Sequence, residues 1–102
     1  MEKVFNNIAV ITNDEGYLES FDQWTPELAE EIAKEEGIEL TEKHWEVIHW
    51  IQEQVKNEVA LTIRGIKKTG PVDIKTFYAL FPKGPLKVST KIAGVPKPKS
   101  CI

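Results

Sequence analysis

A chain of 102 residues with 41% hydrophobic and 28% charged side chains has room for one core and no more. Its single cysteine excludes an intrachain disulfide, and no apolar run approaches the roughly 20 residues that crossing a membrane requires. The formal charge of −3 conceals a division: residues 1–60 hold fifteen acidic and four basic side chains, and residues 61–102 hold one acidic and nine basic. Such asymmetry implies either a charged partner surface or attraction between the two halves.

In chain order, the first expected element is a hairpin over about 4–18. Asn6-Asn7 suits its turn, Ile8-Ala9-Val10-Ile11-Thr12 is β-rich, and Asn13-Asp14-Glu15-Gly16 closes it before a bend at Tyr17-Leu18. Thr25 and Pro26 mark the cap and first position of a helix, with Leu28, Ala29 and Ile32 on its apolar face and Gly37 as its stop. Thr41 caps a second helix running to about Lys56. There Trp45, Ile48, Ile51 and Val55 recur at helical spacing, widened by Val47 and Trp50. The tryptophans read as core. His44 and His49 flank the stripe as surface or capping groups, because no cysteine or paired-histidine motif completes a metal site. A third helix is expected over about 60–68 and ends at Thr69-Gly70-Pro71. A fourth spans about 72–80, with Ile74, Phe77, Tyr78 and Phe81 as packing groups, and Pro82-Lys83-Gly84-Pro85 terminates it. No long apolar period follows. The expectation is a mainly α domain over residues 1–85, with helices within about 26–81, and a mobile C-terminal arm over 86–102.

Cys101 is the second-to-last residue of that arm. Pro96, Lys97, Pro98 and Lys99 before it favour an extended, solvated and positive segment, so its chemistry outweighs its packing. Lys97 and Lys99 favour the thiolate and the terminal carboxylate opposes it; on the domain side, Arg64 and Lys83 are candidate supporting cations. Ten residues from Ile92 to Cys101 could extend about 33 Å, with Gly94 as a hinge. A cysteine second from the end does not fit the prenylation signal. The absence of an apolar stretch in residues 1–7 points to the cytoplasm, where a lone thiol stays reduced.

Several blocks carry a resemblance. Gly16-Tyr17-Leu18, Gln23-Trp24, Thr41 to Ile48, Phe81 to Pro85, and Lys91 to Pro98 ending in Cys101 are similar, in this order, to the DsrC/TusE family. That resemblance implies a small helical bundle with a helix-turn-helix-like element, an N-terminal β-hairpin and a mobile arm. It implies that Cys101 carries sulfur as a persulfide, within a sulfurtransferase relay that needs neither metal nor organic cofactor. It further implies a TusBCD/DsrEFH-like donor complex and an MnmA-like thiouridylase with tRNA as acceptor. Members serving dissimilatory sulfite reductase carry a second arm cysteine eleven positions earlier, where this chain has Thr90. The departure favours the single-cysteine branch, although an accessory, gamma-type role beside sulfite reductase is an alternative.

A reading from another class is a helix-turn-helix DNA-binding regulator built from the helices near 42–56 and 60–68. Against it, the second of these offers Arg64, Lys67 and Lys68 but no Asn or Gln to read base edges. The acidic first half also repels a duplex.

Overall fold

The structure, a computed structural model, describes residues 1–97. Strands β1 (Glu2–Phe5) and β2 (Ile8–Ile11) pair antiparallel, with Phe5 opposite Ile8 and Glu2 opposite Ile11. Asn6 and Asn7 take φ of 45° and 73°, the two left-handed positions that match a tight turn to the twist of a hairpin. Phe5 and Val10 turn inward onto the helices, whereas Val4 and Ile11 face solvent.

Five helices follow a short 3-10 turn at Phe21–Gln23. Helix α1 (Pro26–Glu35) has the expected cap: the Thr25 hydroxyl accepts from the Leu28 N–H at 3.1 Å. Helix α2 (Glu42–Lys56) buries Val47, Ile48 and Ile51, with Trp45 and Trp50 half-buried at its edges. Helix α3 (Ile63–Thr69) starts later than its apolar pattern suggested, because the Thr62 hydroxyl accepts from Gly65 N–H and leaves Leu61 as a buried residue of the preceding link. Helix α4 (Ile74–Leu80) likewise begins behind a cap, Asp73, whose carboxylate accepts from Thr76 N–H at 2.7 Å.

The expected boundary near residue 85 falls inside the folded unit. Helix α5 (Pro85–Ala93) opens with Pro85 at its first position and closes at Gly94, whose φ of 76° is left-handed. It packs against α1, α2 and α4. Leu86, Val88 and Ile92 are buried, each contributing roughly 1.5–3 kcal/mol. Ser89 and Thr90 are buried as well, and their hydroxyls donate to carbonyls of the preceding turn, Leu86 for both. Two polar residues on a buried face hide the helical period; self-satisfied hydroxyls make the burial affordable.

The helix-turn-helix-like element is formed by α3 and α4, which pack on each other across the link 70–73, rather than by α2 and α3. Helix α2 meets α3 through Trp50, close to Gly65.

His44 ties α2 to α4. Its Nδ1 takes a hydrogen bond from Thr41 N–H at 3.1 Å, which makes it an acceptor, so Nε2 carries the proton and donates to Leu80 O at 2.9 Å. The ring stands edge-on to Phe81, itself edge-on to Phe77. Replacing this imidazole strips a helix cap and leaves the partly buried Leu80 carbonyl without its donor. His44→Ala is expected to cost about 2–3 kcal/mol in urea unfolding, and a loss below about 0.5 kcal/mol would show that the bridge contributes little.

Candidate functional site

The place of interest is the C-terminal end of α5, where the chain leaves the globule toward Cys101. Three side chains from distant segments hold α5 by its carbonyls. Tyr17, fully buried, donates its hydroxyl to Lys87 O at 2.8 Å. Trp24 donates its indole N–H to Ile92 O at 2.8 Å, and Gln52 of α2 donates its side-chain amide to Ala93 O at 2.9 Å. The last carbonyls of a helix lack intrahelical donors, so the latter two bonds satisfy the groups that would otherwise let this end fray.

Gly94 completes the clamp. A Cβ built there would stand 2.4 Å from Trp24 Cδ1. Gly94 is therefore a packed helix stop against an indole ring, and the expectation of a hinge at this residue is overturned. Val95 is also buried, and its N–H donates to Thr90 O at 3.2 Å. Exposure begins at Pro96. Counted from the last buried residue, Val95, the six positions from Pro96 to Cys101 amount to at most about 20 Å of extended chain, instead of the 33 Å counted from Ile92.

Lys97 is tied down by charge. Its ammonium lies 2.6 Å from Glu15 Oε2, an ion pair joining the basic and acidic halves across 82 positions. The Glu15 carboxyl is held below its ordinary value, above all by this hydrogen bond. Desolvation opposes the shift, and the charges of Lys97, Lys87 and Lys91 add to it. Lys91 also lies over the Tyr17 ring at 5.7 Å, so the arm root is lined with cations.

The other candidate residues sit elsewhere. Arg64 is exposed on α3 beside Lys67 and Lys68, on a basic face floored by Ile63 and Ile74. Lys83 lies before the start of α5, roughly 13 Å along that helix from its end at Gly94. Neither is brought to the arm root. Cys101 and Lys99 lie outside the described residues. Thr90 is fully buried, its hydroxyl donating to Leu86 O and Lys87 O. Among the described residues no cluster of His, Cys, Asp and Glu could hold a metal, and no helix is long and apolar enough to cross a membrane.

Sequence reasoning missed the clamp. Trp24 and Gln52 carry no local signal for it, lying 68 and 41 positions from the carbonyls they hold. Gly94 one residue beyond Ala93, with Pro85 nine residues earlier, was the signal for a helix between them.

Comparison with known proteins bears on all of this. The family described as DsrC-like protein matches residues 4–102. The sulfurtransferase TusE of Salmonella paratyphi A is 39% identical, over 97% of this chain and 98% of the relative. That of Escherichia coli (strain K12) is 37% identical over the same shares. Two crystal structures superpose over the whole of both chains. Dissimilatory sulfite reductase I (DsrI) gives a TM-score of 0.84 at 33% identity. The oxidized gamma-subunit of the dissimilatory sulfite reductase (DsrC) from Archaeoglobus fulgidus gives 0.78 at 32%.

Gly94→Ala is expected to destabilise by about 2–4 kcal/mol, since it adds left-handed strain to a clash with the Trp24 ring; urea unfolding measures it, and a neutral result would remove the clamp. The Glu15–Lys97 tie has a pH signature. A lowered folded-state pKa means that its contribution is present above the unfolded value and is lost as pH falls through the folded one. By carboxyl NMR, Glu15 is expected to titrate below 4.5 in the wild type and to move back up in Lys97→Gln.

Proposed function

The chain belongs to the family of DsrC-like proteins, and from that membership we propose that it is a sulfur carrier, loading sulfane sulfur on Cys101 and passing it on. The observation that carries this reading is the near-complete alignment with relatives named as sulfurtransferases, in a chain whose single thiol is its second-to-last residue.

The chemistry is a thiol exchange. The Cys101 thiolate attacks the outer sulfur of a donor persulfide; the bond between the donor's two sulfurs breaks, a new S–S bond forms at Cys101 Sγ, and the donor leaves as its thiolate. No external oxidant or reductant enters. An acceptor thiolate then repeats the step on the outer sulfur. Lys99, two positions before Cys101 in the sequence, favours its anionic forms.

The donor fitting this branch is a TusBCD/DsrEFH-like complex. The acceptor is an MnmA-like thiouridylase with its tRNA, leading to 2-thiolation of the wobble uridine. Thr90 supports this branch: its hydroxyl is spent on α5 carbonyls, and this chain lacks the second thiol that the resemblance associates with sulfite-reductase substrates. The likeness to the Archaeoglobus fulgidus gamma-subunit favours a second reading, an accessory partner of a sulfite reductase; stable co-purification with such an enzyme would select it.

Incubated with a cysteine desulfurase, cysteine and the donor complex, the wild type is expected to gain one sulfur atom by intact mass, reversed by reductant. Cys101→Ser is expected to gain none while keeping its circular dichroism and unfolding midpoint. Stoichiometric labelling of that variant would refute the carrier role.

A further inference from the structure

The outer side of the α3–α4 pair carries a groove of about 700 Å³ lined by Ile63, Arg64, Lys67, Lys68 and Ile74. Its walls hold three cations and no carboxylate. Lys67 and Lys68 follow Arg64 by three and four positions on α3, so their Cβ atoms lie about 5–6 Å from that of Arg64. On α4, Tyr78 stands one turn beyond Ile74 and is 40% exposed, with Lys75 three positions before it. Among the described residues, none of these four cations has a carboxylate within ion-pair distance. The one acid of this half, Asp73, is spent as the cap of α4, where its carboxylate accepts from Thr76 N–H. Hydrogen bonding with Thr76 holds that carboxyl below its ordinary value; desolvation opposes the shift, and the charges of Lys75 and of Lys43 on α2 add to it. The face is basic without local compensation.

We propose that this face binds the single-stranded loop of an RNA, with Arg64, Lys67 and Lys68 on its phosphates and Tyr78 against an unstacked base. The choice of loop rests on the sulfur-carrier reading, under which it is the anticodon loop of the tRNA held by the acceptor. The cations alone fit any polyanion, and three further observations select this one. The groove has an isoleucine floor, and an exposed aromatic ring lies on the same side of α4; base faces use both, whereas the carboxylates of an acidic protein use neither. Side chains that read base edges in a paired groove are missing, since no Asn or Gln lies between Ala60 and Leu80. Finally, residues 1–60 hold fifteen of the sixteen acidic side chains. That field opposes a long duplex laid across the molecule and spares a short loop confined to one face.

The test is fluorescence anisotropy of the full chain at low salt with three probes: an unmodified anticodon stem-loop, a duplex DNA of equal length, and polyglutamate as competitor. Wild type is expected to bind the stem-loop more tightly than the duplex. Arg64→Gln combined with Lys67→Gln is expected to raise the stem-loop Kd about fivefold or more and to flatten its log–log salt slope by about 1.4, the value for two lost phosphate contacts on a single strand. Tyr78→Ala is expected to raise Kd by a similar factor with the slope kept, because stacking releases no counterions. Wild-type affinity and slope in both variants, with circular dichroism showing them folded, would overturn the proposal. So would equal affinity for the duplex, or displacement of the stem-loop by polyglutamate at equal charge, which would assign the face to an acidic protein. Failure of the carrier reading looks different: wild-type Cys101 would take up no sulfur from the donor complex. RNA binding does not use the thiol, and Cys101→Ser is expected to bind the stem-loop as wild type does.

Discussion

The enclosure of α5 is the constraint on which the rest of the molecule depends. Three helices surround a nine-residue segment, and its interior-facing polar groups are each accounted for. Ser89 and Thr90 turn their hydroxyls back to the helix, and Tyr17 from the loop after β2, Trp24 at the end of the 3-10 turn and Gln52 of α2 reach its carbonyls. An unpaired carbonyl in such a setting costs on the order of 1–3 kcal/mol, so each donor fixes the segment that carries it. The loop after β2, the turn at Phe21–Gln23 and α2 are thereby referenced to one central element.

The proposed carrier role follows from where that element ends. A carrier thiol needs freedom at its tip and a fixed point of departure, because a wandering root enlarges the volume that the sulfur must search. Trp24, Gln52 and Gly94 supply the fixed point, and the Glu15–Lys97 pair extends it two residues past the last buried side chain.

Much of this was legible in the residues themselves. The Asn6-Asn7 turn, the Thr25-Pro26 start, the stop at Gly37 and the span of α2 all follow from local rules with few competitors, and the structure has them where those rules place them. Two kinds of information were not local. Thr62 and Asp73 delay α3 and α4 because a hydroxyl and a carboxylate capture backbone N–H groups, while apolar spacing alone extends both helices toward their N-termini. Helix α5 was hidden because Ser89 and Thr90 sit on its buried face and read as solvent-facing, which masks a polar side marked only by Lys87 and Lys91. The thiol's place at the tip was plain from the chain; the clamp was not, since Trp24 and Gln52 lie 68 and 41 positions from the carbonyls they hold.

The bond from Trp24 gives the molecule a reporter of its own. Of three indole N–H protons, this one closes on a backbone oxygen two residues before the helix-ending glycine. Its exchange with deuterated solvent therefore clocks how often the base of the tail comes undone. A single resonance, readable without any label on the sulfur, distinguishes a carrier that waits with its foundation closed from one that loosens when it meets another protein.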